Sequence, residues 1–197
     1  PYTLSYETLG VSKTVGAEMK REPASPAADR KARMYYAAAR EYAALQSLPF
    51  KSPYRLLDSS LAHKAFLFAK QQTLEVPFAM WVYLQGWASG WQEFELESAE
   101  QLRTACENVG ADTNGFDAFV QPGGEGEDAL AQIKVRAEAS GISGAPHYVY
   151  TDHSKARRVG LFGREHLALI RGKYAAAGLA RRIDVVAEFS HAWPGND

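Results

Sequence analysis

The spacing of apolar and polar residues changes several times along this chain, and each change marks an element. Tyr2 to Glu7 alternates ring, polar and aliphatic residues, which predicts a short strand. Gly10 to Pro26 carries glycines, prolines and charges without a period and reads as a loop. Helical spacing then takes over. Asp29 suits an N-cap for a helix running to about Ser47, after which Pro49 and Pro53 break the chain. A second helix begins at Asp58 or Ser59, either of which can cap it, and runs through AHKAFLFAKQQ. Pro77 opens a third, FAMWVYLQGWASGW, whose apolar residues on every side predict a mostly buried helix. Ser98 caps a fourth that runs to about Gly110, with Glu100 in its first turn and Gln101 at the capping-box position.

A short segment around Phe116–Val120 and the turn PGGEG lead to a long helix from Glu125 to Ser140, stopped by Gly141. Beyond it the period falls to two. HYVYT reads as a strand, DHSK as a turn, RRVGLF as a second strand, and Arg164 to Lys173 as a helix. The tail from Ala175 to Asp197 fits either helix or extended chain. The predicted order is therefore a strand, a block of helices, then helix, strand, strand and helix.

Composition narrows the possibilities. Of 197 residues, 46% are hydrophobic and 23% charged, the range of soluble globular domains. A formal net charge of −1 supplies no field to draw nucleic acid or an anionic membrane. Nothing approaches the run of about 18 apolar residues that spans a bilayer. Cys106 is the one cysteine, so an internal disulfide and a CxxC redox pair are both excluded within this sequence. A lone thiol on an amphipathic helix reads as a small buried apolar residue and points to the cytoplasm. His63, His147, His153, His166 and His191 form neither HxH nor HExxH, so no metal site is expected.

The most informative stretch is EASGISGAPHYVYTDHSKARRVGLFGREHLALI, in which a Gly-Ala-Pro turn leads into a strand and its hairpin partner ends in Phe-Gly before a helix. It resembles the thioredoxin-like half shared by DsbA-type oxidoreductases, 2-hydroxychromene-2-carboxylate isomerases and kappa-class glutathione transferases. DRKARMYYAAAREYAALQSLPF looks like the first helix of their all-helical insertion, and DSSLAHKAFLFA like a later helix start, with Asp58 and Lys64 as departures. ESAEQLRTACENVGAD is similar to the return of that insertion toward the core, and YTLSYETLGVSKTVGAE to a strand and following loop. The resemblance implies an α/β fold: a thioredoxin-like core over 1–26 and 122–174, an insertion over 27–121, and a tail over 175–197. The family's usual first strand and helix, with its Ser-Pro-Tyr or Cys-x-x-Cys turn, have no counterpart before Tyr2, and the chain is read as a processed or partial product.

The resemblance also implies site residues. Pro146 is expected to be cis, which only a tertiary amide makes accessible. The backbone of Ala145 would pair with the cysteine part of glutathione or of a peptide. Gly163, Arg164 and Glu165 stand where the family holds the γ-glutamyl group, Glu165 on the α-amino group and Arg164 as a clamp or a block. Lys13 occupies a lysine position and is the candidate cation for lowering a thiol pKa. Trp87, Trp91 and His147 are candidate pocket residues; packing of the tryptophans against the core or a second subunit, and a half-solvated strand position for His147, are the plainer readings. ARRIDVVAEFSHAWP also reads like the missing strand, which would bring Ser190 and His191 to the catalytic turn. Three functions follow. The first is a glutathione-dependent isomerase or transferase acting on a small aromatic compound, as a homodimer. The others are a non-catalytic binding subunit and, least favoured by the cysteine count, a thiol-disulfide oxidoreductase.

Overall fold

The computed structural model describes residues 26–53, 57–142 and 144–179. It divides into two compact units with the boundary between Lys134 and Val135. The first is helical: α1 (Pro26–Leu45), α2 (Ser60–Gln71), α3 (Glu75–Leu84) continuing into a π-helical turn over Gln85–Ser89, α4 (Ala99–Asn108), α5 (Phe116–Val120) and the start of α6 (Glu125–Ala139). Its core forms where α2 packs on α3, α4 and α5. Ala65 and Ala69 of α2 and Leu102, Ala105 and Cys106 of α4 are fully enclosed. Small residues at these spacings let the helices approach, and Phe68 fills the remaining space with its ring edge-on to Phe116 at 5.2 Å and Phe119 at 5.5 Å.

The helix starts show how local chemistry sets boundaries. The N-cap of α2 is Ser59, and Asp58 just before it steadies the first turn, Oδ1 accepting from the Ser60 N–H at 2.9 Å and the Ser60 hydroxyl at 2.6 Å. Ser98 caps α4 by accepting from the Gln101 N–H at 3.3 Å. The reciprocal half of the capping box is absent: Gln101 Oε1 accepts from Glu95 N–H at 2.8 Å, while Ser98 N–H is bonded to the Glu95 carbonyl. Gln101 therefore pins the loop before the cap rather than the cap itself. A second clip is reciprocal, Gln72 exchanging two hydrogen bonds with the Asp112 backbone at 2.8 and 2.9 Å.

The third helix departs from the sequence expectation. It begins at Glu75, two residues before Pro77, and it is only half buried. Phe78 and Val82 enter the core, while Val76, Met80, Tyr83 and Leu84 are each more than half exposed. A helix apolar all round has no polar face to turn outward, so packing on one side leaves an apolar stripe on the other. The segment also stops short of Trp91, which folds back over Gly86. A Cβ on Gly86 would enter the indole ring, so only glycine admits this closure.

The second unit holds the end of α6, the hairpin β1 (His147–Asp152) and β2 (Arg157–Phe162), a 3-10 turn over Arg164–His166, and α7 (Leu167–Ala176). The strands are antiparallel, with His147 opposite Phe162, Val149 opposite Gly160 and Asp152 opposite Arg157. Alternation places Tyr148, Tyr150 and Asp152 on one face, and Tyr150 and Asp152 are buried there. α7 covers that face through Tyr174, whose ring lies 6.3 Å from Tyr150, and through Lys173.

Candidate functional site

The hairpin brings two separated segments to one end of the sheet. Ala145–Pro146 is a cis peptide bond, as the family resemblance implies. One residue beyond β2, Gly163 donates its N–H to the Pro146 carbonyl at 3.0 Å, so the ladder extends to the proline itself. Gly163 is buried with φ +114°, a conformation that L side chains avoid. The chain then turns so that the carboxylate of Glu165 lies where a Gly163 side chain would be. Ala145, Pro146, Arg164 and Glu165 are all exposed around this point. The structure therefore brings together Ala145, Pro146, Gly163, Arg164 and Glu165, residues some 20 positions apart in sequence.

Two features make the place chemically open. The backbone N–H and C=O of Ala145 meet no hydrogen-bonding partner among the described residues. The Glu165 carboxylate, 52% exposed, has His166 Nε2 at 3.8 Å, an ion pair only when the imidazole is protonated. An exposed backbone with unpaired groups before β1 and a carboxylate in the turn after β2 suit a ligand with a peptide unit and an ammonium group.

His147 lies next in the chain, on the face of Phe162. Both its ring nitrogens are enclosed and have no hydrogen-bonding partner among the described residues, and Nε2 rests 3.0 Å from where a Gly160 Cβ would stand. The residue keeps partial exposure, but its polar atoms are not the exposed part. Trp87 and Trp91 belong to the helical unit. Trp91 is 4% exposed and takes Trp87 edge-on at 5.1 Å, while Trp87 stacks on Phe50 at 4.8 Å. Lys13, Ser190 and His191 lie outside the described residues.

Two titratable groups shifted by burial, enclosed Cys106 and half-buried His63, sit elsewhere. Burial pushes the Cys106 thiol up to about 12, with Glu107 adding to the effect. Burial likewise pushes His63 down to about 4, against the pull of the Asp58 carboxylate. One buried polar cluster escaped the sequence reading. Asp152 is enclosed and bonded to Ser154 and Lys173, and its only sequence signal is an Asp-x-Ser turn. Lys173, 21 residues on, gives no sign of its partner.

The family model of the DSBA-like thioredoxin domain matches residues 8–175. The chain belongs to this family. Its fold is thioredoxin-like, and the cis-proline hairpin and the helical unit are parts of one DSBA-like thioredoxin domain. No curated protein and no solved structure matches the chain. Among the described residues of this DSBA-like domain, no helix is long and apolar enough to cross a membrane.

Proposed function

We propose that this DSBA-like domain binds glutathione across Ala145–Pro146 and the Gly163–Glu165 turn, and acts as a glutathione-dependent isomerase or transferase on a small aromatic compound. The observation that carries the reading is the placement of the Glu165 carboxylate against Gly163, whose N–H is bonded to the Pro146 carbonyl next to the open backbone of Ala145. Ala145 would pair with the peptide unit of the ligand through its N–H and C=O. Glu165 would take the α-ammonium group, and Arg164 would lie beside the α-carboxylate. Bound glutathione would supply a thiolate nucleophile. What this chain contributes is orientation: a backbone edge fixed by the Gly163-to-Pro146 hydrogen bond and a charge fixed by the turn.

The disulfide-exchange reading is the weaker one. Cys106 is enclosed and its thiol is pushed up to about 12, whereas exchange requires an accessible thiolate. We further propose a cytoplasmic setting, which suits a single unpaired thiol, and a homodimer, which the exposed apolar stripe of α3 supports.

Calorimetric titration with glutathione tests the reading. Micromolar-to-millimolar binding is expected, weakened at least about ten-fold by Glu165→Ala through loss of a charge-assisted hydrogen bond of about 1.5–3 kcal/mol. Absence of heat at millimolar glutathione would sink it. Binding without turnover of aromatic substrates would make the chain a binding subunit.

A further inference from the structure

A cleft of about 540 Å³ opens in the helical unit, between α3 with its π-helical turn and the start of α4. Part of its wall is aromatic: Trp81 is half-buried, and its ring meets that of enclosed Phe94 edge-on at 5.4 Å. Two exposed carboxylates, Glu93 and Glu100, also line it, and among the described residues no lysine, arginine or histidine does. The glutamates of this loop differ in what they do. Glu97 accepts from the Asp58 N–H at 2.7 Å and so ties the loop to the start of α2. The carboxylates of Glu93 and Glu100 accept no hydrogen bond among the described residues. Arg103, whose charge reaches Glu100, is itself paired with Asp117, and Lys51 donates to the Ser89 carbonyl at 3.0 Å. A helix N-terminus such as that of α4 favours an anion. Here that pull is offset, because Ser98 accepts from the Gln101 N–H with its hydroxyl and the Leu102 N–H with its carbonyl, and Glu100 stands in the first turn.

We propose that this cleft binds a primary ammonium compound with an apolar body, the ammonium held by Glu93 and Glu100 and the body laid against Trp81. Carboxylates alone collect counter-ions without selecting among them; the ring beside them is what selects. An ammonium donates short, charge-assisted bonds to carboxylates, and tryptophan is the side chain whose face attracts a cation most. The ammonium carries three donors, and Gln85 and Ser89 bring neutral acceptors to the same cleft from the two ends of the π-helical turn. Turns of this kind are rare and recur at functional sites. The volume lies within the range of about 300–1,000 Å³ usual for small-molecule sites, enough for one ring and a short chain. All the lining residues belong to the helical unit, and none is shared with the Gly163–Glu165 turn.

The test is a calorimetric titration of the full chain with phenethylammonium chloride, without glutathione. One-to-one binding in the micromolar-to-millimolar range is expected. Phenylpropanol, similar in shape but uncharged, and phenylpropanoate, of opposite charge, are expected to bind at least about ten-fold more weakly. The double variant Glu93→Gln, Glu100→Gln changes two exposed side chains, so its circular dichroism should match the wild type while its dissociation constant for the ammonium rises at least about ten-fold. Trp81→Phe should raise that constant about three-fold, because the smaller ring attracts a cation less; if this variant fails to fold, the double variant decides alone. Glu165→Ala, which removes the carboxylate of the Gly163 turn, should bind the ammonium as the wild type does. No heat at millimolar phenethylammonium overturns the site, as does equal or tighter binding of either analogue, or affinity that survives the double substitution. Loss of binding in Glu165→Ala would move the ammonium to the Gly163 turn and overturn the cleft equally.

Discussion

Lys173 Nζ lies 3.2 Å from Asp152 Oδ2, and the contact fastens α7 to the last residue of β1. Asp152 is 4% exposed, and its other oxygen accepts from the Ser154 N–H at 3.1 Å and hydroxyl at 2.5 Å. A buried carboxylate is tolerated because every side of it is matched. The Ser154 hydroxyl foremost, against the opposing effect of burial, and then Lys173 hold its carboxyl down at about 2.

That depression fixes a pH dependence. The folded value of about 2 lies below the ordinary 3.8, so as pH falls the unfolded chain takes up the proton first. The stabilisation is complete above about pH 4 and is lost as pH falls toward about 2. Urea midpoints of the wild type and Asp152→Asn, compared across pH, are expected to differ by a constant amount near neutrality and to converge in that acid window. A difference that stays flat to the acid end contradicts the assignment.

Gly163→Ala is expected to destabilise the domain by about 1–3 kcal/mol, because it puts a side chain at φ +114° and into the Glu165 carboxylate. The two causes separate in a double-mutant cycle. With Glu165→Ala already present, Gly163→Ala should cost less, since only the backbone strain remains. Equal costs in both backgrounds, read from urea unfolding, would remove the carboxylate from that position.

Phe116, 1% exposed and edge-on to Phe68, should lose about 3–5 kcal/mol when cut to alanine. Val76→Ser on the exposed stripe of α3 should change stability by no more than about 0.5 kcal/mol. Chemical denaturation of the two variants checks the contrast. A large loss at Val76 would mean that α3 is covered in solution.

Cys106 should resist thiol reagents in the native state, because it is fully enclosed and its thiol is pushed up to about 12. Labelling followed against urea should appear only with unfolding. Rapid stoichiometric labelling of the native chain would place the thiol at the surface.

Much of the fold was legible in the sequence because its signals are local. Gly141 with φ +73° ends the helical segment before β1, Ser98 starts α4, and the cis bond at Pro146 is the one the family resemblance implies. Errors arose where a side chain had a choice of partner. Gln101 sits at the capping-box position, yet its amide reaches Glu95. Pro77 lies in the first turn as expected, but the helix starts two residues earlier, at Glu75.

The sequence by itself determined most of the described elements, among them the strands HYVYT and RRVGLF with the turn between them. These follow from backbone preference and short-range spacing. Only the tertiary structure decided which distant groups meet. It joined Gly163 to Pro146, Lys173 to Asp152 and Trp91 to Gly86, and among the described residues it left one face of α3 and one edge of β1 without a neighbour. The physical reason is that burial and pairing depend on what lies across space. An apolar run such as α3, or an alternating strand such as β1, carries the same local pattern whether or not something covers it.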